Sequence, residues 1–514
     1  MYMLHRARQL GLKARVFEAG SGVGGTWYWN RYPGARCDVE SLEYSYQFDA
    51  ALQQEWKWSE RYAPQSEILR YAEHVAGRFG LEKDIQFDTR VEAAIYDEKA
   101  GCWAVRTSGG AETAAQFLIL ATGCLSSAKL PEIEGLETFA GERYHTGRWP
   151  RQAVDFSGKR VGVIGTGSSA IQAIPLIARE ARTLTVFQRT PTYSVPARNG
   201  AIDPEYEARI KADYAGFRAR NSRMPAAFGS NLPRSEALAL SAAPEERNRA
   251  FEERWRHGGL PFLGAFGDLM LNGEANAAAA EFVRAKIRAQ VSDPAVAHRL
   301  TPTQPIGCKR LCVDTDYYAT FNRPNVRLID LRETPIEAIT PAGLRCGGEE
   351  HALDNLVFAT GFDAMTGPLL SIDIRGRGGL ALRDKWREGP RSYLGLGSAG
   401  FPNLFIITGP GSPSVLTNMM VSIEQHVNWI GDCLAWLRAR GHARIEASVA
   451  AENAWGEHVN AVAGLTLYPH CNSWYLGANV PGKPRVFMPL IGFPPYVEKC
   501  KAVAQRGYEG FMLS

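Results

Sequence analysis

The segment Val161-Gly162-Val163-Ile164-Gly165-Thr166-Gly167-Ser168-Ser169-Ala170 leaves this chain little choice of local fold. A short apolar β-type run meets two glycines one residue apart and passes into a helix-compatible stretch. That is the strand–turn–helix unit of a dinucleotide-binding fold. Gly165 permits the tight turn, Gly167 lets the backbone approach a pyrophosphate, and Ala170 allows helix and strand to pack closely. A glycine pattern of this kind is a weak signal until its surroundings are read.

The next strand ends Val186-Phe187-Gln188-Arg189-Thr190. A site selective for NAD carries Asp or Glu at that place, whereas this one carries Arg189 and the hydroxyl of Thr190. A guanidinium offers paired bonds to a phosphate and has no such partner on an unphosphorylated ribose, so NADPH is favoured. Taken alone, Arg189 reads equally as a solvated charge at a strand end. Behind Gly165-Thr166-Gly167 the phosphate reading gains.

A chain of 514 residues predicts two or three domains. The net charge of +4 is small for that length and gives no reason to propose nucleic acid or an anionic membrane as partner. No apolar run is long enough to span a bilayer, and the amino terminus lacks the apolar core of a signal peptide. The nine cysteines are scattered and never spaced C-x-x-C; Cys308 and Cys312 come nearest, without a histidine at a zinc-ligand interval. Reduced thiols in a cytoplasmic protein are therefore expected.

Residues 1 to about 11 read as a helix, and Ala14 to Glu18 as a strand ending in an acid. This is the second half of a βαβ unit, with Glu18 placed to receive ribose hydroxyls. The preceding strand and glycine turn are expected to be encoded upstream, which translation of the upstream DNA would test. Residues 66 to 80 read as a helix. From Ile85 to Leu120 short β-type runs (Ile85–Phe87, Val91–Ile95, Trp103–Val105) separated by Gly and Asp predict an antiparallel meander. Ala121-Thr122-Gly123 and Ala359-Thr360-Gly361 end two buried strands. Residues 197 to about 305 have helical spacing and read as an insertion. Asn403 to Gly411 is a further strand-to-turn, followed by a helix from Ser422 to Leu437.

Two segments carry the chemistry. Phe139-Ala140-Gly141-Glu142-Arg143-Tyr144-His145-Thr146-Gly147-Arg148-Trp149-Pro150 fits F-x-G-x-x-x-H-x-x-x-W-P. Gly24-Gly25-Thr26-Trp27-Tyr28-Trp29 runs on through Tyr32-Pro33-Gly34-Ala35-Arg36-Cys37-Asp38 and fits G-G-x-W-x-x-x-x-Y-P-G-x-x-x-D. Paired glycines let backbone lie against a flat cofactor, and the tryptophans supply planar walls. The plainer account of the second segment is a Pro-Gly surface turn beside core tryptophans.

Together the two segments resemble the fingerprints of the Baeyer–Villiger monooxygenases, flavoenzymes that insert one oxygen atom of O2 beside a ketone carbonyl. The resemblance runs to Lys483-Pro484-Arg485-Val486-Phe487-Met488-Pro489, and is nearest the phenylacetone and cyclohexanone type. It implies an α/β fold of two dinucleotide-binding (Rossmann-like) domains with an antiparallel meander and a helical insertion. The FAD domain would comprise 1–138 and, with the C-terminal segment, 361–514. The NADP domain would comprise 139–196 and 306–360, with the insertion at 197–305.

The same resemblance assigns sites. Arg310 in Pro305-Ile306-Gly307-Cys308-Lys309-Arg310 matches the active-site arginine, and Asp38 the carboxylate that orients it. The chemistry needs a fixed cation, because a flavin C4a-peroxide must stay anionic to attack the carbonyl. On spacing alone, a surface Lys-Arg pair is the plainer account. Lys309 matches a second positive charge at the NADP phosphate. FAD contacts are implied for Glu18, Gly25, Thr26, Trp27, Tyr28, Trp29, Arg36, Asp38, Tyr44, Val91 and Met419. NADP contacts are implied for Gly165, Thr166, Gly167, Ser168, Ser169, Gln172, Arg189, Thr190, Lys309 and Trp474. Ser414, Val415 and Leu416 would line the ketone pocket. His145 reads as a positioning and gating residue between the domains, without direct proton transfer.

Two other readings remain open at this point. A flavin monooxygenase that oxygenates N or S shares both nucleotide folds, and a catalytically dead protein could retain nucleotide binding alone. Thioredoxin-reductase-like chemistry is excluded by the missing C-x-x-C.

Overall fold

The structure is a computed structural model that describes residues 1–485 and 488–514. Val486 and Phe487, within the segment of resemblance at Lys483–Pro489, lie outside the described residues.

Strand Arg160–Ile164 is the axis of a five-stranded sheet, with Val161 and Val163 fully buried. The spatial order is Val326–Asp330, Thr183–Gln188, Arg160–Ile164, Asn355–Phe358, Glu142–His145, and every neighbouring pair is parallel. Such a sheet must be covered on both faces. One cover is helix Ser168–Glu180, whose Ala170, Ile171, Ile174 and Ile177 are fully buried. The other is a three-stranded antiparallel sheet (Ile336–Thr340, Gly343–Cys346, Glu349–Ala352) that packs Ile339 and Leu344 against Phe187, Leu356 and Phe358.

The chain leaves this domain after strand Ser194–Pro196 and returns at Cys312–Asp314, and those two strands pair in parallel. Between them lie helices Pro204–Ala212, Tyr214–Ser222, Pro244–His257, Gly273–Gln290 and Pro294–Leu300. Asp203, Asp213, Asn272 and Asp293 cap four of them by accepting the free N–H groups of the first turn. Closing the excursion on one strand pair holds the returning loop, which carries Arg310, against the parallel sheet.

A second, four-stranded sheet consists of an antiparallel meander, Val91–Asp97, Cys102–Thr107 and Glu112–Ala115, joined in parallel by Asp373–Arg375. Ile85–Phe87, expected in that meander, behaves differently: Ile85 and Gln86 pair in parallel with Val16 and Phe17. The run is too short for alternation to reveal its partner, and the turn at Asp88–Arg90 breaks its continuity with Val91. Leu118–Leu120 pairs in parallel with Leu404–Ile406. Helix Tyr2–Gln9 lies on helix Met419–Arg440, where Gly431 lets the Arg6 stem pass against its backbone and Arg6 reaches Asp432 at 2.8 Å. The helix at Gln65–Arg78 falls where residues 66 to 80 predicted one.

The expectation of reduced cysteines fails at one pair. Cys308 and Cys471 are joined by a disulfide across 163 positions, with Cα atoms 5.5 Å apart, while the other seven cysteines are free. Scattered spacing hid a pairing that only the tertiary fold creates. Among the described residues no helix is long and apolar enough to cross a membrane, and no group of His, Cys, Asp or Glu could hold a metal ion.

Candidate active site

Arg310 stands two residues before strand Cys312–Asp314, and all three arms of its guanidinium are engaged. Nε donates to Asp38 Oδ2 at 2.5 Å and Nη2 to Asp38 Oδ1 at 2.7 Å, the paired geometry of a planar guanidinium on a carboxylate. Nη1 donates to the Val415 carbonyl at 2.8 Å. Burial works against the charge, but the Asp38 carboxylate and the Tyr475 hydroxyl keep the guanidinium protonated well above its ordinary range. The side chains of Arg310 and Asp38 keep about a fifth of their surface, 21% and 20%, so the pair is not sealed in the core.

Beside Asp38, burial pushes the Cys37 thiol up, with the Asp38 charge adding to the effect, so it remains a neutral thiol. Val415 belongs to a 3-10 turn, Ser414–Leu416, that follows Gly409-Pro410-Gly411. Ser414 takes a left-handed φ of 44° and donates to the Thr408 carbonyl at 3.3 Å. This strained turn presents the Val415 carbonyl to Arg310. Leu416 and Met419, the first residue of the long helix, are half-buried beside it, packed with Cys124, Tyr475 and Met488.

The dinucleotide turn is built for an anion. Gly165 has φ 110°, and a Cβ there would meet the Ala359 carbonyl oxygen at 2.5 Å. Gly167 has nothing within 4 Å of that position and is exposed. Gly167 caps helix Ser168–Glu180 without a side-chain bond, leaving the first N–H groups free for a phosphate. Thr166 donates to the Thr190 carbonyl at 2.9 Å, tying the turn to the second strand end. Ser169 contacts the Thr146 hydroxyl at 3.0 Å, and Ser168 lies 3.1 Å from Cys312 Sγ.

Lys309 lies within electrostatic reach of Arg189. Burial and the nearby Arg189 charge both lower the Lys309 pKa. Among the described residues neither forms an ion pair, so two unpartnered cations are held together where a phosphate would neutralise both.

At the other glycine-rich segment, Glu18 accepts from Gly20 N at 2.7 Å, and burial raises its pKa. Gly25 takes φ 53° and opens the short helix Thr26–Trp29, with Thr26 exposed. Trp27 Nε1 donates to Tyr44 at 3.2 Å, and Trp29 packs edge-on to Tyr28 at 4.9 Å. Tyr28 turns its hydroxyl to Ser21 N and to Arg151. Arg36 spends its guanidinium on Glu60 at 2.9 Å and the Tyr62 carbonyl at 3.0 Å. Its own carbonyl accepts from Gln172 Nε2 at 3.1 Å. Val91 begins the meander, half-buried beside the Glu18 loop, where Thr89 N donates to the Glu18 carbonyl.

His145 stands away from the guanidinium, at the end of strand Glu142–His145. Its Nδ1 accepts from Gly147 N at 2.9 Å and its Nε2 lies 3.4 Å from the Thr360 hydroxyl. Burial lowers its pKa to about 4, so it is neutral near pH 7. Trp474, half-buried, opens the turn Trp474–Leu476. Tyr475, beside the guanidinium, was missed by sequence reasoning. Its position directly after Trp474 was the available signal.

Comparison with known proteins agrees with this geometry. A family model described as pyridine nucleotide-disulphide oxidoreductase matches residues 13–229. The chain is 43% identical to a Baeyer–Villiger monooxygenase of Pseudooceanicola batsensis, covering 99% of this chain and 93% of that protein. It is also 43% identical to a phenazine N-monooxygenase of Lysobacter antibioticus, covering 100% and 95%. A solved structure of an oxidised steroid monooxygenase bound to NADP is 52% identical, with a TM-score of 0.95 over 100% of this chain and 97% of that one.

The chain belongs to the Baeyer–Villiger monooxygenase family. Membership accounts for the two dinucleotide-binding folds, one for FAD and one for NADP.

Proposed function

We propose that the Arg310–Asp38 pair is the electrostatic centre of an NADPH- and O2-dependent conversion of ketones to esters or lactones. The observation that carries this reading is a guanidinium held by three hydrogen bonds to Asp38 and the Val415 carbonyl that still keeps about a fifth of its side chain exposed, so that N–H donors remain for a substrate oxygen. Bound FAD supplies the redox chemistry, taking electrons from NADPH and activating O2. Arg310 keeps its charge throughout and stabilises the negative charge that develops on the substrate oxygen. Asp38 holds the guanidinium plane, and the Val415 carbonyl fixes its third arm. Ser414, Val415 and Leu416 wall the ketone side.

Arg189 and Lys309 bind the 2′-phosphate of NADPH, and the free N–H groups after Gly167 receive its pyrophosphate. Gly165, Thr166, Ser168, Ser169, Gln172, Thr190 and Trp474 shape that seat. Glu18 receives the flavin ribose, and Gly25, Thr26, Trp27, Tyr28, Trp29, Tyr44, Val91 and Met419 surround the remainder. Arg36 serves through its carbonyl, by anchoring Gln172. His145, neutral and doubly anchored, acts as a hinge rather than a base. In this reading 1–138 and 361–514 form the FAD domain, 139–196 and 306–360 the NADP domain, and 197–305 the insertion. A cytoplasmic setting, where NADPH is regenerated, suits the reaction.

The test is oxygen-dependent NADPH consumption across a ketone panel, with products identified by mass. A mass gain of one oxygen and an ester or lactone fragmentation supports the reading; NADPH oxidation that yields only hydrogen peroxide with every ketone opposes it. The 43% identity to a phenazine N-monooxygenase favours a second reading, oxygen transfer to a heteroaromatic nitrogen. Heteroaromatic amines belong in the same panel, and an N-oxide formed without any ester would select that reading.

A further inference from the structure

The disulfide lies where it can govern the active site. Cys308 is two residues ahead of Arg310, and Cys471 is three ahead of Trp474. Both cysteines are 2% exposed. The bond therefore joins the two segments that meet at the guanidinium: the returning loop that supplies Arg310, and the 3-10 turn that supplies Tyr475. The Cys308 side is held firmly, because Gly307 at φ 86° packs against Met270 and Ile306 N donates to Asn276 at 3.0 Å. The Cys471 side is held mainly by packing, with Ser473, Tyr475 and Leu476 buried and the last two packed with Cys124 and Val415. Its hydrogen bonds to the rest of the fold are Leu467 N to the Met270 carbonyl at 2.9 Å, Arg485 to the Pro469 carbonyl at 3.2 Å, and further on Asn479 to Phe362 and Lys483 to Asp363. Between Leu467 and Asn479 the disulfide is its covalent tie to the Arg310 loop.

We propose that Cys308 and Cys471 form a reversible thiol–disulfide switch that sets how tightly the 471–477 segment closes on Arg310. The proposal rests on the reading of Arg310 as the reaction's cation. The oxidant is hydrogen peroxide, which NADPH oxidation yields when no substrate is oxygenated. One thiolate attacks peroxide, the O–O bond breaks and hydroxide leaves, giving a sulfenic acid. The second thiol displaces its oxygen as water, so two thiols and one H2O2 become one disulfide and two waters. A dithiol reductant returns two electrons and restores both thiols. In a reducing compartment, disulfides of this kind are transient and redox-sensing. The tied form holds Tyr475 on Arg310 and keeps water out; the reduced form releases the segment and passes more NADPH to peroxide. Uncoupled turnover thus generates the oxidant that restores coupling.

The test uses the full chain loaded with FAD. Reduced enzyme is treated with hydrogen peroxide, quenched with catalase, denatured and alkylated. Seven modified cysteines and a Cys308–Cys471 cross-linked peptide are expected, since nine less the two in the bond leaves seven. Nine modified cysteines, or a cross-link between another pair, overturns the proposal. Hydrogen exchange is then compared in the two redox states. Slower exchange across 471–477 in the oxidised form supports the proposal, and equal exchange overturns it. Cys471→Ala should exchange like the reduced form whatever the peroxide treatment, and Cys308→Ala gives the same comparison from the other side. With a ketone that the enzyme accepts, reduction should raise the NADPH spent per ester several-fold, and an unchanged ratio overturns the link to coupling. If no ketone is oxygenated while the cysteine count and exchange difference stand, the ketone reading fails and the switch survives.

Discussion

Arg310 and Asp38, 272 positions apart, lie flat against each other through two parallel hydrogen bonds of 2.5 and 2.7 Å. Replacing Arg310 with Ala should lower the oxygenation rate roughly 10²–10³-fold, the usual cost of removing one preorganised stabilising donor. Arg310→Lys should recover little, because an ammonium cannot satisfy both carboxylate oxygens and the Val415 carbonyl in one plane. Stopped-flow reduction by NADPH, measured beside ester formation, checks this: reduction should persist while ester is lost.

Asp38→Asn leaves the shape of the pair and removes its charge. A buried guanidinium without its counter-ion costs stability as well as rate, on the order of 3–5 kcal/mol when one partner of a buried pair is removed, and less here because the pair is partly exposed. Thermal unfolding should therefore shift downward in Asp38→Asn, together with the loss of ester formation.

The two glycines of the dinucleotide turn should behave oppositely. In Gly165→Ala the new methyl group meets the Ala359 carbonyl at a φ of 110°, so both melting temperature and NADPH affinity should fall. In Gly167→Ala the methyl group points into open space, so the fold should hold while the pyrophosphate loses its close approach. Melting curves and NADP titrations of the two variants separate these effects.

Lys309→Ala should raise the KM for NADPH about 10- to 100-fold with little effect on NADH, since a bond to a charged group contributes about 1.5–3 kcal/mol. Arg189→Ala should do the same. The ratio of kcat/KM for the two nucleotides measures it.

His145 carries a pH signature. Its folded pKa, about 4, lies below the unfolded value near 6.5, so the unfolded chain binds more protons between those values. Stability from the neutral ring is present above about pH 6.5 and lost as pH falls toward 4, with a span of about 3 kcal/mol. The difference in unfolding free energy between wild type and His145→Gln should shrink across that window and stay flat above it.

The local units were legible in the sequence because their signals are local. Gly165 and Gly167 mark a turn by their own backbone requirements, and the Ser168–Glu180 helix follows from spacing within it. Ile85–Phe87 was misplaced because a short strand does not encode its neighbour. The Arg310–Asp38 pair was reached only through resemblance, since no periodicity connects residues so far apart. Arg36 was expected at a cofactor; in the structure its guanidinium pairs with Glu60, and a residue name cannot show which of its groups is free for a ligand. Cys308 and Cys471 were unreadable for the same reason as the arginine pair, without a family pattern to compensate.

Gly34 has one more consequence. A Cβ there would run into the Gln172 carbonyl, and Tyr32 donates to the Gln172 side chain at 2.8 Å. The loop that ends in Asp38 therefore rides on the helix that begins at the Gly165–Gly167 turn. A tilt of that helix would therefore be felt at the loop that carries Asp38 through the seam at Gly34. Even one methyl group at Gly34 would force those two segments apart, because the room between them is already filled by the Gln172 carbonyl.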